Sequence, residues 1–236
     1  MTHRILSLYP ELLDVNGDAQ NALVLAQRAR WSGVDAVVQP LALGEPAPAA
    51  PAVLVVGSSV DAALPALAAS LAGIGDALRG WVSDGVPILA VGTGFELLAE
   101  AIEPAPGSRI RGFGLFGGIA RPLPSRATDD LVVDAAGFRL AGFENHARGI
   151  VGSEDAPLGR VVHGTGDGGG REGARSGSAI GTRLHGPVLA KNPGLADELL
   201  AAAGIAVDAA SPRIEAADAL AQGARDRILA AVGLRG

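Results

Sequence analysis

The chain has no cysteine, and that absence excludes disulfides, thiolate metal sites and thiol nucleophiles together. Lysine occurs once, at Lys191, so arginine supplies eighteen of the 19 basic residues (19 − 1). Beside the wealth of alanine and glycine, that skew reads as genome composition. The basic residues are scattered through a chain of net charge −6, which argues against a nucleic-acid-binding stripe. No apolar run approaches the ~18 residues of a membrane helix. The apolar stretch after Met1-Thr2-His3-Arg4 is too short for a signal peptide. These absences predict a cytoplasmic protein without membrane insertion. No pair of histidines or carboxylates has metal-ligand spacing, so neither a metal nor a cofactor is expected.

What is present reads as alternating strands and helices. The 236 residues, 48% of them hydrophobic, suffice for a proper core. Ile5–Tyr9, Ala36–Val38, Ala52–Gly57 and Pro87–Val91 have strand character, and the continuous apolar run of Ala52–Val56 fits a parallel strand covered on both faces. Helical spacing separates them, over about 18–33 and 60–83. This order predicts a mostly parallel sheet in a three-layer α/β/α, flavodoxin-like unit, with sites at the carboxyl ends of the strands. One domain is expected over 1–236, with a core of about 4–203 and a C-terminal helix over about 211–232. Short apolar pieces between Gly112 and His146 predict hairpins. Gly164–Gly177 lacks both a Gly-Lys-Ser/Thr ending and a helix behind it, so it reads as a mobile surface loop rather than a phosphate cradle.

The segment Pro87 to Leu98 reads as a buried strand, a tight turn and a helix start. In hydrolase-like sites such an elbow presents a serine or cysteine. Here it carries Gly92-Thr93-Gly94. About ninety residues on, Leu184-His185-Gly186-Pro187 presents a histidine suited to serve as the base of such a nucleophile.

Several segments in order resemble one family: Leu8 to Asn21, Leu54-Val55-Val56-Gly57 with Asp61, the elbow, Gly142-Phe143-Glu144-Asn145-His146, and Leu184 to Pro193. Together they resemble class I glutamine amidotransferases of the cobyric acid synthase-like branch, and within it the GatD-type glutaminase subunits of lipid II isoglutaminyl synthase. The resemblance implies an elbow cysteine that attacks the glutamine side-chain amide, a histidine base at His185, and backbone N–H groups that stabilise the oxyanion. It also implies a MurT-like Mur ligase partner that receives the ammonia and uses ATP to activate the D-glutamate α-carboxyl of lipid II.

The chain departs from that pattern where the chemistry would occur. Gly92 stands at the nucleophile position and offers no side chain. Ser58 and Ser59 replace a glycine and a glutamine beside Gly57, in the oxyanion region. Glu96 replaces a glutamine that contacts substrate; a carboxylate there loses donors and adds charge. Asn16 and Gln20 replace the usual tyrosine and glycine. Arg126 aligns loosely with an arginine facing the glutamine or the ammonia tunnel, and also reads as an ordinary solvated arginine. These departures predict a pseudoenzyme in which His185 either packs structurally or serves a ligand. His146 is expected to be structural, with His3 and His163 at the surface. Two alternatives stay open: a relocated nucleophile at Thr93, Ser58 or Ser59, and a regulatory module that binds an amino acid or ammonia.

Overall fold

The computed structural model describes residues 2–135 and 137–234; Met1, Ala136, Arg235 and Gly236, which the expected 1–236 unit includes, lie outside the described residues. Among the described residues, twelve strands and seven α-helices follow in order. The first half holds β1 (His3–Leu8), α1 (Asn21–Trp31), β2 (Ala36–Leu41), β3 (Val53–Val56), α2 (Leu64–Gly73), α3 (Gly75–Ser83), β4 (Ile88–Val91) and α4 (Thr93–Leu98). Then come β5 (Ala101–Ile102), β6 (Ile110–Arg111), β7 (Ile119–Ala135), β8 (Phe138–Val151), β9 (Gly159–His163), β10 (Arg171–Glu172), β11 (Ala174–Ser176) and β12 (Ala179–Thr182). Three helices close the chain: α5 (Val188–Lys191), α6 (Pro193–Ala202) and α7 (Pro212–Ala231).

The central sheet has the order β11-β12-β4-β3-β1-β2, parallel from β12 to β2 with β11 antiparallel at the edge. Its strands alternate their side chains between two cores. Leu6, Leu8, Leu54, Val56, Ile88 and Ala90 pack with Leu67, Leu71, Leu78 and Trp81 of α2 and α3. Ile5, Val53, Val55, Leu89 and Val91 pack on the other face with Leu25, Ala26 and Ala29 of α1 and Leu195 and Leu199 of α6. Helices therefore cover both faces, the three-layer α/β/α arrangement the sequence predicts. Arg28 of α1 ties α6 and α7 together, donating to Asp197 through Nε at 2.8 Å and to Asp218 through Nη1 at 2.6 Å.

The hairpin region forms a second sheet, in the order β10-β9-β7-β5-β6 with β8 paired to β7. The β7–β8 ladder is antiparallel, with a register shift between Pro122 and Ala127 where the two prolines interrupt the donors. The glycine-rich stretch 164–177 departs from expectation. It carries β10 and β11, and Asp167 and Glu172 are 7% and 0% exposed, so it is a folded turn whose acids face inward. Glycine there signals tight turning and says nothing about burial of the acids between. His3 and His163, expected at the surface, are half-buried. Among the described residues no single helix is long and apolar enough to cross a membrane.

Candidate functional site

Four adjacent parallel strands deliver the site. After the carboxyl ends of β1, β3, β4 and β12 come Asp18, Ser58, Gly92 and His185, respectively. Gly92 adopts φ 54°, ψ −115°, a left-handed turn from strand to helix that strains any residue with a Cβ. A Cβ built on Gly92 would stand 3.3 Å from His185 Nε2, so the histidine faces the missing side chain. That Cβ would also lie 2.7 Å from His185 Cε1 and 2.9 Å from the Ser58 Cβ.

His185 is 1% exposed and firmly oriented. Its backbone N–H donates to the Phe143 carbonyl at 2.8 Å, and its ring packs against the Phe143 ring at 5.6 Å between centroids. Its Nδ1 donates to Asp18 Oδ2 at 2.8 Å; the carboxylate only accepts, which places the ring proton on Nδ1. Nε2 is buried and finds no hydrogen-bond partner among the described residues. Asp18 is fully buried and also accepts from the Ser58 hydroxyl, which is within 2.7 Å of the Val15 carbonyl too. The arrangement has the geometry of a histidine oriented by a carboxylate and aimed at a position that carries no side chain. Asp18 was not identified as a functional residue from sequence. It lies 167 residues from His185, and only its place after the first strand hinted at the role.

A pocket of about 310 Å³ opens beside this pair, lined by Asn16, Ser58, Ser59, Gly92, Thr93, Glu96, Arg126, Asn145, Arg148 and His185 among others. Of the residues predicted for the site, Gly57 alone is absent from the lining. It sits beneath, where a Cβ would meet the Leu13 carbonyl oxygen at 2.1 Å, so its glycine serves close packing. Thr93 turns its hydroxyl to the Ser59 carbonyl at 3.0 Å. Arg126 is exposed at the mouth and grips Asn145 Oδ1 through Nε at 3.0 Å and Nη2 at 2.7 Å, while Asn145 donates to Asn16 Oδ1 at 3.0 Å. His146 contacts the Arg148 carbonyl oxygen and Glu144, at 2.8 and 3.1 Å, and also lines the pocket. Burial alone would push the Glu144 carboxyl up, but bonds from His146 and the Gly166 and Thr165 N–H groups hold it below its ordinary value. A larger cavity, about 760 Å³, lies apart at the β7–β8 turn against α6 and α7, and shares no lining residue with the elbow pocket.

Glu96 differs most from its sequence reading. Its carboxylate is 2% exposed and committed to two arginines: Arg183 Nη1 donates to Oε1 at 2.8 Å and Arg148 Nε to Oε2 at 2.9 Å. Arg148 continues to Asp61 at 2.7 and 2.9 Å, and Arg183 to Asp167 at 2.9 Å. The result is a chain of alternating charge, Asp61–Arg148–Glu96–Arg183–Asp167, that joins the elbow helix to both sheets. Burial opposes the charge of Arg148, but Asp61 and Glu96 outweigh it and hold the guanidinium above its ordinary value; Asp167 and Glu96 do the same for Arg183. The expected free charge beside a substrate is thus neutralised in the wall. Neither Arg148 nor Arg183 was singled out from sequence.

The sequence profile of the CobB/CobQ-like glutamine amidotransferase domain matches residues 4–193, which include all four strands and the elbow. The chain belongs to this family. GatD of Streptococcus pneumoniae, a lipid II isoglutaminyl synthase (glutamine-hydrolyzing) subunit, is 28% identical over 206 residues, 84% of this chain and 79% of that protein. GatD of Staphylococcus aureus is 32% identical over 126 residues; the match spans 52% of this chain and about half, 51%, of the relative. The cobyric acid synthase of Sphingopyxis alaskensis is 32% identical over 179 residues, 69% of this chain but 34% of that enzyme. Two amidotransferase structures share the fold. One, at 18% identity, has a TM-score of 0.58 and covers 85% of this chain and 99% of its own. The other, from Thermotoga maritima at 16% identity, has a TM-score of 0.55 and covers 96% and 98%. The chain is thus a GatD-like amidotransferase domain with glycine at its elbow.

Proposed function

We propose that this chain is the GatD-like subunit of a lipid II amidating complex, silent as a glutaminase, and the non-catalytic partner of a MurT-like ATP-dependent ligase. The observation that carries the reading is the unpartnered Nε2 of His185 facing Gly92: base and orienting carboxylate stand ready, and no atom is present for them to activate. Thioester formation needs a nucleophile at that point. In this reading residues 1–236 form one cytoplasmic unit that stabilises or shapes the ligase, and the ligase takes free ammonia or another amine rather than ammonia released from glutamine.

A relocated nucleophile fits the geometry less well. The Thr93 hydroxyl is engaged by the Ser59 carbonyl, and the Ser58 hydroxyl joins Asp18 on the far side of the relay from Nε2. An amino-acid-binding regulatory role draws on the pocket that persists, about 310 Å³ with Arg126 and Asn145 at its mouth. Three assays separate these readings. Purified chain, alone and with its ligase, should release no glutamate from glutamine, while ligase activity should depend on this chain and on ammonium but not on glutamine. Glutamate release abolished by His185→Ala would overturn the proposal in favour of a relocated nucleophile. A raised melting temperature with one amino acid, in a chain that leaves ligase activity unchanged, would favour the regulatory role.

A further inference from the structure

Restoring a cysteine at position 92 would meet an obstacle that the loss of a nucleophile alone does not explain. The Ser58 Cβ stands 2.9 Å from where a Cβ on residue 92 must be, inside ordinary contact distance. A Cβ cannot rotate away, because only backbone movement displaces it. The Ser58 backbone is pinned as well: its carbonyl accepts from Val15 N at 3.0 Å, and the residue follows directly on β3 and Gly57 at the edge of the sheet. The hydroxyl adds a second effect. It bonds the same Asp18 oxygen, Oδ2, that receives His185 Nδ1. One carboxylate oxygen is thereby shared, and the ring is drawn to a position where its Cε1 lies 2.7 Å from the same point.

We propose that Ser58 is a second closure of the elbow: its Cβ takes the space a side chain at position 92 requires, and its hydroxyl anchors the carboxylate that holds His185 against that space. The inference rests on the reading of the elbow as silent and adds that it is shut at two positions, one after β4 and one after β3. Ser58→Gly removes both effects. The elbow can then tilt toward β3, and the His185 ring contact relaxes with it.

The full chain offers a clean test because it has no cysteine, so an introduced thiol is the only one present. Gly92→Cys, Ser58→Gly and the double variant form a thermodynamic cycle, in which the left-handed strain at position 92 is common to both thiol-bearing proteins. The loss of melting temperature caused by Gly92→Cys should be larger in the wild-type background than in the Ser58→Gly background. The thiol should react with iodoacetamide at pH 7 about ten-fold faster in the double variant, where His185 can pair with it. If Gly92→Cys fails to fold and the double variant folds, the proposal stands. Equal alkylation rates with equal losses of melting temperature, or failure of Gly92→Cys to fold in both backgrounds, overturn it. Glutamate release by the wild type would sink the reading of a silent elbow yet leave the comparison of thiols intact.

Discussion

Glu96→Gln is expected to lower stability by about 3–5 kcal/mol, although it restores the residue type expected in a glutaminase pocket. The carboxylate lies between two arginines, one of them 0% exposed, and accepts from both at 2.8–2.9 Å. An amide keeps one acceptor oxygen and turns an N–H₂ group toward a guanidinium, donor against donor. Arg148 and Arg183 are then each left with one carboxylate, Asp61 and Asp167 respectively, and a neutral amide where the second stood. Removing one member of a buried ion pair costs more than the pair contributes, since the remaining charge stays desolvated. For a chain of this size the loss corresponds to a fall in melting temperature on the order of 10 °C. Thermal and urea unfolding of the two proteins checks this. A fall below about 2 °C would mean that the arginines find other partners or water.

The second large effect depends on pH and concerns Glu172. Burial, then the neighbouring Asp167 charge, pushes its carboxyl from an ordinary 4.5 up to about 8, against bonds from Arg183 N and Thr182 Oγ1. In the unfolded chain the proton leaves near 4.5, whereas in the folded chain it stays until about 8. The folded state therefore binds the extra proton across that window, and stability falls as pH rises through it. The interval is worth on the order of 5 kcal/mol. Glu172→Gln is a neutral stand-in for the protonated acid, with an oxygen still placed to accept from Thr182 and Arg183. The variant should match the wild type near pH 4.5 and exceed its stability by a growing margin up to pH 8, levelling off above. Urea titrations of both proteins across that range report the difference directly. A margin that does not change with pH would show that Glu172 is already ionised in the folded protein.

The sequence made the fold legible where burial on both faces left continuous apolar runs, as in Val53–Val56 and Ile88–Val91. The elbow and His185 were legible because strand, turn and helix are local signals. The long β7 and β8 strands were read only as broken hairpins, since Pro122, Pro124 and the glycines hide a ladder whose partners are fixed by the other strand. The charged wall was not legible at all. Nothing near Glu96 in sequence announces Arg148 or Arg183, 52 and 87 residues away, and a lone glutamate on an elbow helix reads as a pocket charge. Asp18 was hidden by a longer separation, 167 residues from His185. Pairings made across the fold leave no periodicity, so the residue types were visible while their assignments to one another were not.

The alternating wall also bears on how such a chain could change over time. Each of its inner members bridges two neighbours of opposite charge, so a single substitution takes a partner from both at once, and coordinated replacements cost least. A change at Glu96 alone takes a carboxylate from Arg148 and Arg183 together. The interlocked acids and arginines thus act as a ratchet on variation in this wall, where each member holds its neighbours to the residue types that match it.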